Sequence, residues 1–314
     1  MVGQQRAMRT QLTCLLGALL LSPLLAADPG QEIVLGAWNI EWLGRPDMRS
    51  GPSKDVAQTP EDLARYIADS GVDMLALEEI CVLPGQDLHP FNPTLQSALH
   101  LLNQQPGRRW KIEYFPKKGE EPTQWTALAW NAERVQAVGG PYRIPVALPA
   151  SAFDLWKRWP YAMKFTTTAP GHTDWVAIPI HMKSNRRDEP GAHPVRHRAQ
   201  EGRALAEQLP GLRQHFGDRD LVVLGDTNVL KASEEALTAL ERQGLVNLNR
   251  ADRPTTWKGR APFDRIFLAG GQPEFAACRQ TIVKPEGMTA EEFKIKLSDH
   301  YMVTTRFRPT RDDD

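Results

Sequence analysis

Several short apolar runs in this sequence end in carboxylates, amides and imidazoles, and those ends are where chemistry would sit. Leu221–Leu230 reads LVVLGDTNVL. Its apolar residues suit a strand covered on both faces, after which the chain turns at Gly225 and presents Asp226 and Asn228. A carboxylate there can take or direct a proton, and an amide can orient an oxygen. Gln31–Ile40 runs into Glu41, and two-residue periodicity places Asn39 and Glu41 on one face with Trp38 and Ile40 opposite. Val72–Leu77 ends in Glu78 and Glu79, of which one can enter a cleft while the other faces solvent. Asp174–Ile180 leads into His181, Lys183, Ser184 and Asn185. Phe263–Leu268 carries Asp264 among apolar residues, and Ser298, Asp299 and His300 precede a final strand through Phe307.

A lone acid or histidine at a strand exit is usually structural. Here Asn39/Glu41, Glu79, His181, Asp226/Asn228 and Asp299/His300 stand at separate strand boundaries, with Asp264 beside another. In a layered α/β sandwich neighbouring strand ends converge on one rim. The set is rich in hard oxygen donors, holds two histidines, and has neither a cysteine nor a serine in a strained elbow. Such donors suit Mg²⁺, with Mn²⁺ or Ca²⁺ as alternatives. The remaining histidine and amide groups can meet charge that develops on a phosphoryl oxygen. The chemistry this predicts is metal-assisted attack of water on phosphorus.

Ordinary elements must carry these residues. Thr59–Ser70 reads as a helix with Thr59 as N-cap, Pro60 at the first position, acids in the first turn and Gly71 as the stop. Further helices are expected over Pro93–Leu102, Val195–Leu209 and Glu234–Arg242, and strands over Trp110–Phe115, Thr126–Trp130 and Tyr161–Thr168. In the third helix Ala199, Leu205 and Leu209 should face inward, with Arg196, Arg203 and Glu207 outward. The Pro- and aromatic-rich stretch Gly139–Pro160 reads as an irregular connection between two halves.

The chain has 314 residues, 41% of them hydrophobic and 24% charged, enough for one large domain of ordinary globular composition. No repeat or low-complexity tract is visible. Met1–Ala27 differs from the rest: Arg6 and Arg9 precede the apolar run Leu12–Leu25, which closes on Ala26–Ala27. This is the pattern of a signal peptide and predicts a secreted or periplasmic protein. The run is short for a membrane span, so no stable span is expected. Its removal leaves 36 basic against 38 acidic residues, a net charge of −2. No global field then draws the protein to nucleic acid, although Lys183–Arg187 and Arg196–Arg203 are locally basic. Cys81 and Cys278 remain, either paired or buried separately.

Taken in order, W-N-I-E, L-E-E-I, I-H-M-K-S, G-D-T-N, T-T-W, F-D-R-I and S-D-H resemble the motifs of the endonuclease/exonuclease/phosphatase superfamily, from Ile33 to Phe307. The resemblance implies a DNase-I-like fold: a four-layered α/β/β/α sandwich of two packed, mostly antiparallel mixed sheets, as one domain over 28–314. It implies a metal set of Asn39, Glu41, Glu79 and Asp299, with Glu41 at a position often held by Asp and Glu78 where Gln is usual. Asp226 and Asn228 would hold the attacking water. His300, polarised by Asp264, and His181 would face the phosphoryl oxygens from two sides, while Lys183 and Asn185 would contact substrate. Whether His300 or Asp226 is the base stays open. The expected activity is that of a monomeric, metal-dependent phosphodiesterase, with a DNA endonuclease favoured by the basic groups and by Trp42, Trp125 and Trp257. A phosphatase or phosphodiesterase of a lipid headgroup or small phosphoester is the alternative. A catalytically inactive binding module is disfavoured, because no motif position is apolar.

Overall fold

A computed structural model of the chain describes residues 32–84, 89–117, 119, 121–146, 155–168, 172–187 and 193–309. The Met1–Ala27 segment lies outside them. The strands are β1 (Ile33–Leu43), β2 (Met74–Ile80), β3 (Leu83–Pro84), β4 (Pro90–Phe91), β5 (Trp110–Phe115), β6 (Trp125–Asn131), β7 (Val135–Arg143), β8 (Tyr161–Thr167), β9 (Asp174–His181), β10 (Leu221–Asp226), β11 (Leu245–Asn247), β12 (Asp264–Ala269), β13 (Thr281–Ile282) and β14 (Val303–Phe307). The α-helices are α1 (Pro60–Ser70), α2 (Pro93–Asn103), α3 (Pro194–Phe216), α4 (Glu235–Arg242) and α5 (Ala290–Lys296).

Two six-stranded sheets form, in the orders β13-β14-β1-β2-β6-β5 and β11-β12-β10-β9-β8-β7, beside the small β3–β4 ladder. Each large sheet is antiparallel except for one central parallel pair, β1–β2 in the first and β9–β10 in the second. β1 and β2 face β9 and β10 across the interior, α1 and α2 pack together, and so do α3 and α4. The result is the expected four-layered sandwich.

Strand parity divides the core. Ile33, Leu35, Ala37, Met74 and Ala76 point between the sheets, whereas Trp38, Ile40, Leu75 and Leu77 point to the layer shared with α1, α2 and α5. The caps explain where helices begin. Thr59 Oγ1 accepts from the Asp62 N–H, Asn92 Oδ1 accepts from the Leu95 N–H, and Thr289 and Glu292 form a capping box for α5.

Three expectations need correction. The Gly139–Pro160 stretch is not wholly irregular, since β7 runs to Arg143 and pairs with β8. Gly139, Gly140 and Pro141 hide it by falling at a register shift in a largely exposed edge strand. Helix α3 continues through Pro210 to Phe216, past the expected end at Leu209. Gly225 is not a turn but part of β10: a Cβ there would lie 2.1 Å from the Ile180 carbonyl oxygen. Neighbouring backbone therefore needs a residue without a side chain at that point.

Candidate active site

The two parallel pairs end at the same rim, and register brings the polar residues together. Asn39 stands level with Glu78 across β1–β2, and Asp226 stands level with both His181 and Asp264 across β9–β10–β12. Asn39 continues the inward face of Ile33, Leu35 and Ala37, so its Nδ2 reaches across the sandwich to donate to Asp226 Oδ2 at 3.0 Å. The chain then turns at Thr227–Asn228. Asn228 adopts a left-handed backbone, its N–H donates to Asp226 Oδ1 at 2.8 Å, and its Nδ2 donates to the Met182 carbonyl.

Around Asp226 lies a cleft of about 520 Å³ lined by Glu79, His181, Asn228, Asp299 and His300. Glu79, Asn228, Glu41 and Trp42 all take positive φ without being glycine. Backbone strain of this kind gathers where side chains must be aimed. Glu79 turns into the cleft, where the Trp42 N–H donates to Oε2 at 3.2 Å. Burial, reinforced by Asp299, pushes the Glu79 carboxyl up to about 7.

Its neighbour Glu78 does not face solvent as expected. Parity directs it between the sheets on the Met74 and Ala76 side, where it is fully buried and neither carboxylate oxygen has a hydrogen-bond partner. Burial first, then the nearby Asp264 and Asp226, hold it well above the usual carboxylate range.

The two histidines are in opposite electrostatic states. His300 Nδ1 lies 2.9 Å from Asp264 Oδ2, which also accepts from Thr255 Oγ1 at 2.5 Å. Burial opposes charge on His300, but Asp264, Asp226 and Asp299 outweigh it and hold the imidazole well above its ordinary value. His181 is pushed well below its ordinary value by burial, then by Arg158 and His300. Its Nε2 lies 3.6 Å from Asp226 Oδ2 and 3.8 Å from Glu79 Oε1, and its Nδ1 has no hydrogen-bond partner. Burial raises Asp226 too, opposed by His300.

Glu41 departs from the expectation that it shares a face with Asn39. The consecutive left-handed residues Glu41 and Trp42 break the two-residue alternation, and the register slips between Asn39 and Leu43. Glu41 borders the cleft, yet Lys294 contacts its Oε1 and Arg49 Nε donates to its Oε2 at 3.1 Å. Lys183 lines the cleft with its ammonium bonded to the Arg186 carbonyl at 2.8 Å. Asn185 ties the loop together: its Nδ2 donates to the Asn228 carbonyl and its Oδ1 accepts from Arg198.

On the basic helix Arg196 and Arg203 are exposed as expected, with Arg203 3.8 Å from Glu235, whereas Arg198 is fully buried against Glu234. Trp125 is a core residue whose Nε1 donates to the Glu121 carbonyl, and Trp257 is half-buried under Lys258. Only Trp42 of the three lines the cleft. Cys81 and Cys278 are both free.

Several roles escaped the sequence. Lys157 and Arg158 reach the cleft from the stretch read as a connection. Ser298 Oγ donates to the Asn39 carbonyl at 2.6 Å and accepts from the His300 N–H, joining the first and last motifs. Lys294 sits on α5, whose Thr289–Glu292 capping box was a readable signal.

Asp226, Asp264 and His300 place one ligand atom each within 4.8 Å of one another, but the Asp264–His300 hydrogen bond already engages two of the three, so this group is not an open ligand set. Asn39, Glu79 and Asp299 offer a second set of hard oxygens in which burial and mutual repulsion raise a carboxyl, a strain that a cation relieves. The residues at this rim therefore fit a divalent ion.

No curated protein matches the chain in sequence. Among solved structures, the human Nocturnin catalytic domain with bound sulfate is 19% identical, with a TM-score of 0.58 over 90% of this chain and 94% of that one. D. rerio TDP2 complexed with single-strand DNA product is 14% identical, with a TM-score of 0.54 over 88% and 99%. A mannosyl-6-phosphatase of Bacteroides thetaiotaomicron VPI-5482 is 12% identical, with a TM-score of 0.57 over 88% and 99%. These likenesses carry the fold. A direct match over residues 36–300, which spans every motif from β1 to His300, carries the family: this chain belongs to the Endonuclease/Exonuclease/phosphatase family of phosphoester hydrolases.

Proposed function

We propose that the protein is an exported, divalent-metal-dependent phosphodiesterase that cleaves nucleic acid, DNA in the first instance. The observation that carries the substrate class is the cleft wall: Lys157, Arg158, Lys183 and Arg186 line the same space as Asp226 and His300. Four cations around a polar floor suit a polyanionic chain better than a neutral ligand. The DNA product in the TDP2 structure agrees with this reading. Export rests on Met1–Ala27 alone.

Asn39, Glu79 and Asp299 would hold the ion, which when bound supplies charge neutralisation at the phosphoryl group. Asp226, fixed by Asn39 and the Asn228 N–H, orients the attacking water and takes its proton. His300 is held charged by Asp264 and so serves as a donor to a phosphoryl oxygen rather than as the base. Neutral His181 can donate from Nε2 on the opposite side.

The second reading, a phosphatase or diesterase of a small phosphoester, is favoured by the size of the cleft, since about 520 Å³ lies within the range of small-molecule sites. Supercoiled plasmid, bis(p-nitrophenyl) phosphate and p-nitrophenyl phosphate, offered in parallel with Mg²⁺, separate the two. Plasmid nicking supports the nuclease. Turnover of the small esters alone supports the second reading and removes the first.

A further inference from the structure

Glu41 stands two residues beyond Asn39 and borders the cleft, yet both its oxygens are already engaged. Lys294 contacts Oε1, while Oε2 accepts from Arg49 Nε at 3.1 Å and lies 3.4 Å from Ser53 Oγ. The Ser50 N–H donates to Oε1 at 3.3 Å. The three charged side chains are at most 4% exposed. A buried carboxylate held by two cations is not a vacant ligand, and stripping one partner leaves an uncompensated buried charge.

The cluster is tied to the catalytic loop. Arg49 also donates to the carbonyls of Lys294, Ile295 and Leu297, closing the C-terminal end of α5 just before Ser298, Asp299 and His300. Gln58 Nε2 donates to the carbonyls of Ile40, Glu41 and Leu297, crossing the same junction. The left-handed pair Glu41–Trp42 does two things at once: it turns Glu41 toward α5 and aims the Trp42 N–H at Glu79.

We propose that the Lys294 ammonium takes the place of a second divalent cation at Glu41. The protein then binds one ion, through Asn39, Glu79 and Asp299, and Glu41, Lys294 and Arg49 are positioning residues that fix the Ser298–His300 loop. This rests on the metal-dependent phosphoesterase reading. A resident ammonium needs no loading from solution, and it comes with a covalent tether to the loop it holds.

The test is a count of bound Mn²⁺ on the metal-free full-length protein, by calorimetric titration and by the EPR signal of the unbound ion. One Mn²⁺ per chain is expected. Glu79→Gln should weaken it at least tenfold, whereas Glu41→Gln should leave affinity within twofold and lower the thermal midpoint of the metal-free protein. Lys294→Met, which removes the ammonium, should raise the count to two, a gain that a merely structural lysine would not give. Two ions on the unaltered protein, a tenfold loss in Glu41→Gln, or a count of one in folded Lys294→Met would overturn the proposal. The first of these needs no variant to fold. Binding is read without turnover, so absence of any Mn²⁺ binding removes the phosphoesterase reading itself, while a count of two removes only the role given to Lys294.

Discussion

His300 Nδ1 lies 2.9 Å from Asp264 Oδ2, bringing the last motif of the chain onto a strand 36 residues earlier. The carboxylate fixes which ring nitrogen faces the cleft and favours the imidazolium. Asp264→Asn should therefore lower kcat by about 10²-fold. It should also move the alkaline limb of the pH–rate profile to lower pH, because the imidazole loses its proton sooner without the anion. A rate profile of the variant against the parent checks both. An unshifted limb would take charged His300 out of the mechanism.

Glu79 must be ionised to hold a cation, and its carboxyl is pushed up to about 7. Mn²⁺ affinity should rise about tenfold between pH 6 and pH 8 and then level off. Calorimetric titration at the two pH values measures it, and Glu79→Gln should abolish the dependence together with most of the affinity.

Glu201 on α3 accepts from the Lys183 N–H at 2.8 Å from a buried position, and burial pushes its carboxyl up to about 8. The folded state binds this proton more tightly than the unfolded chain, whose glutamate titrates near 4.5. The stability it contributes is fully present below pH 4.5 and drains away as pH rises to about 8. Urea midpoints measured across that window should fall with pH, and Glu201→Gln should flatten the slope. A parent midpoint that rises over the window would contradict this.

Lys157 and Arg186 are exposed at the cleft wall. If the substrate is a nucleic acid, Lys157→Ala/Arg186→Ala should raise the plasmid KM about tenfold near 0.15 M salt and make its salt dependence shallower. Hydrolysis of bis(p-nitrophenyl) phosphate should change less than threefold. Equal effects on both substrates would speak against a polyanion.

The strands and their polar ends were legible because apolar runs ending in polar residues recur along the chain, and the resemblance of those ends to family motifs implied the sandwich. Parity then decides which residues enter the interior. That rule places Asn39 correctly against Asp226, and it places Glu78 between the sheets. It fails at Glu41, Trp42 and Glu79, where positive φ breaks alternation without any glycine to announce it. The Lys294–Glu41 contact joins residues 253 positions apart, and no local pattern encodes such a pairing. Arg198 falls in a stretch that reads only as locally basic, and its guanidinium turns inward to Glu234 and Asn185. Tertiary partners, not spacing, decide those cases.

The most direct measurement is the rate of bis(p-nitrophenyl) phosphate hydrolysis by the protein with Mg²⁺, after exhaustive chelation, and after Mg²⁺ is restored, with Asp226→Asn run beside it. The cleft described here predicts metal-dependent turnover that chelation abolishes and Mg²⁺ returns, and that Asp226→Asn reduces by about 10³-fold. Full activity in the chelated protein, or an Asp226→Asn rate equal to the parent's, would contradict it.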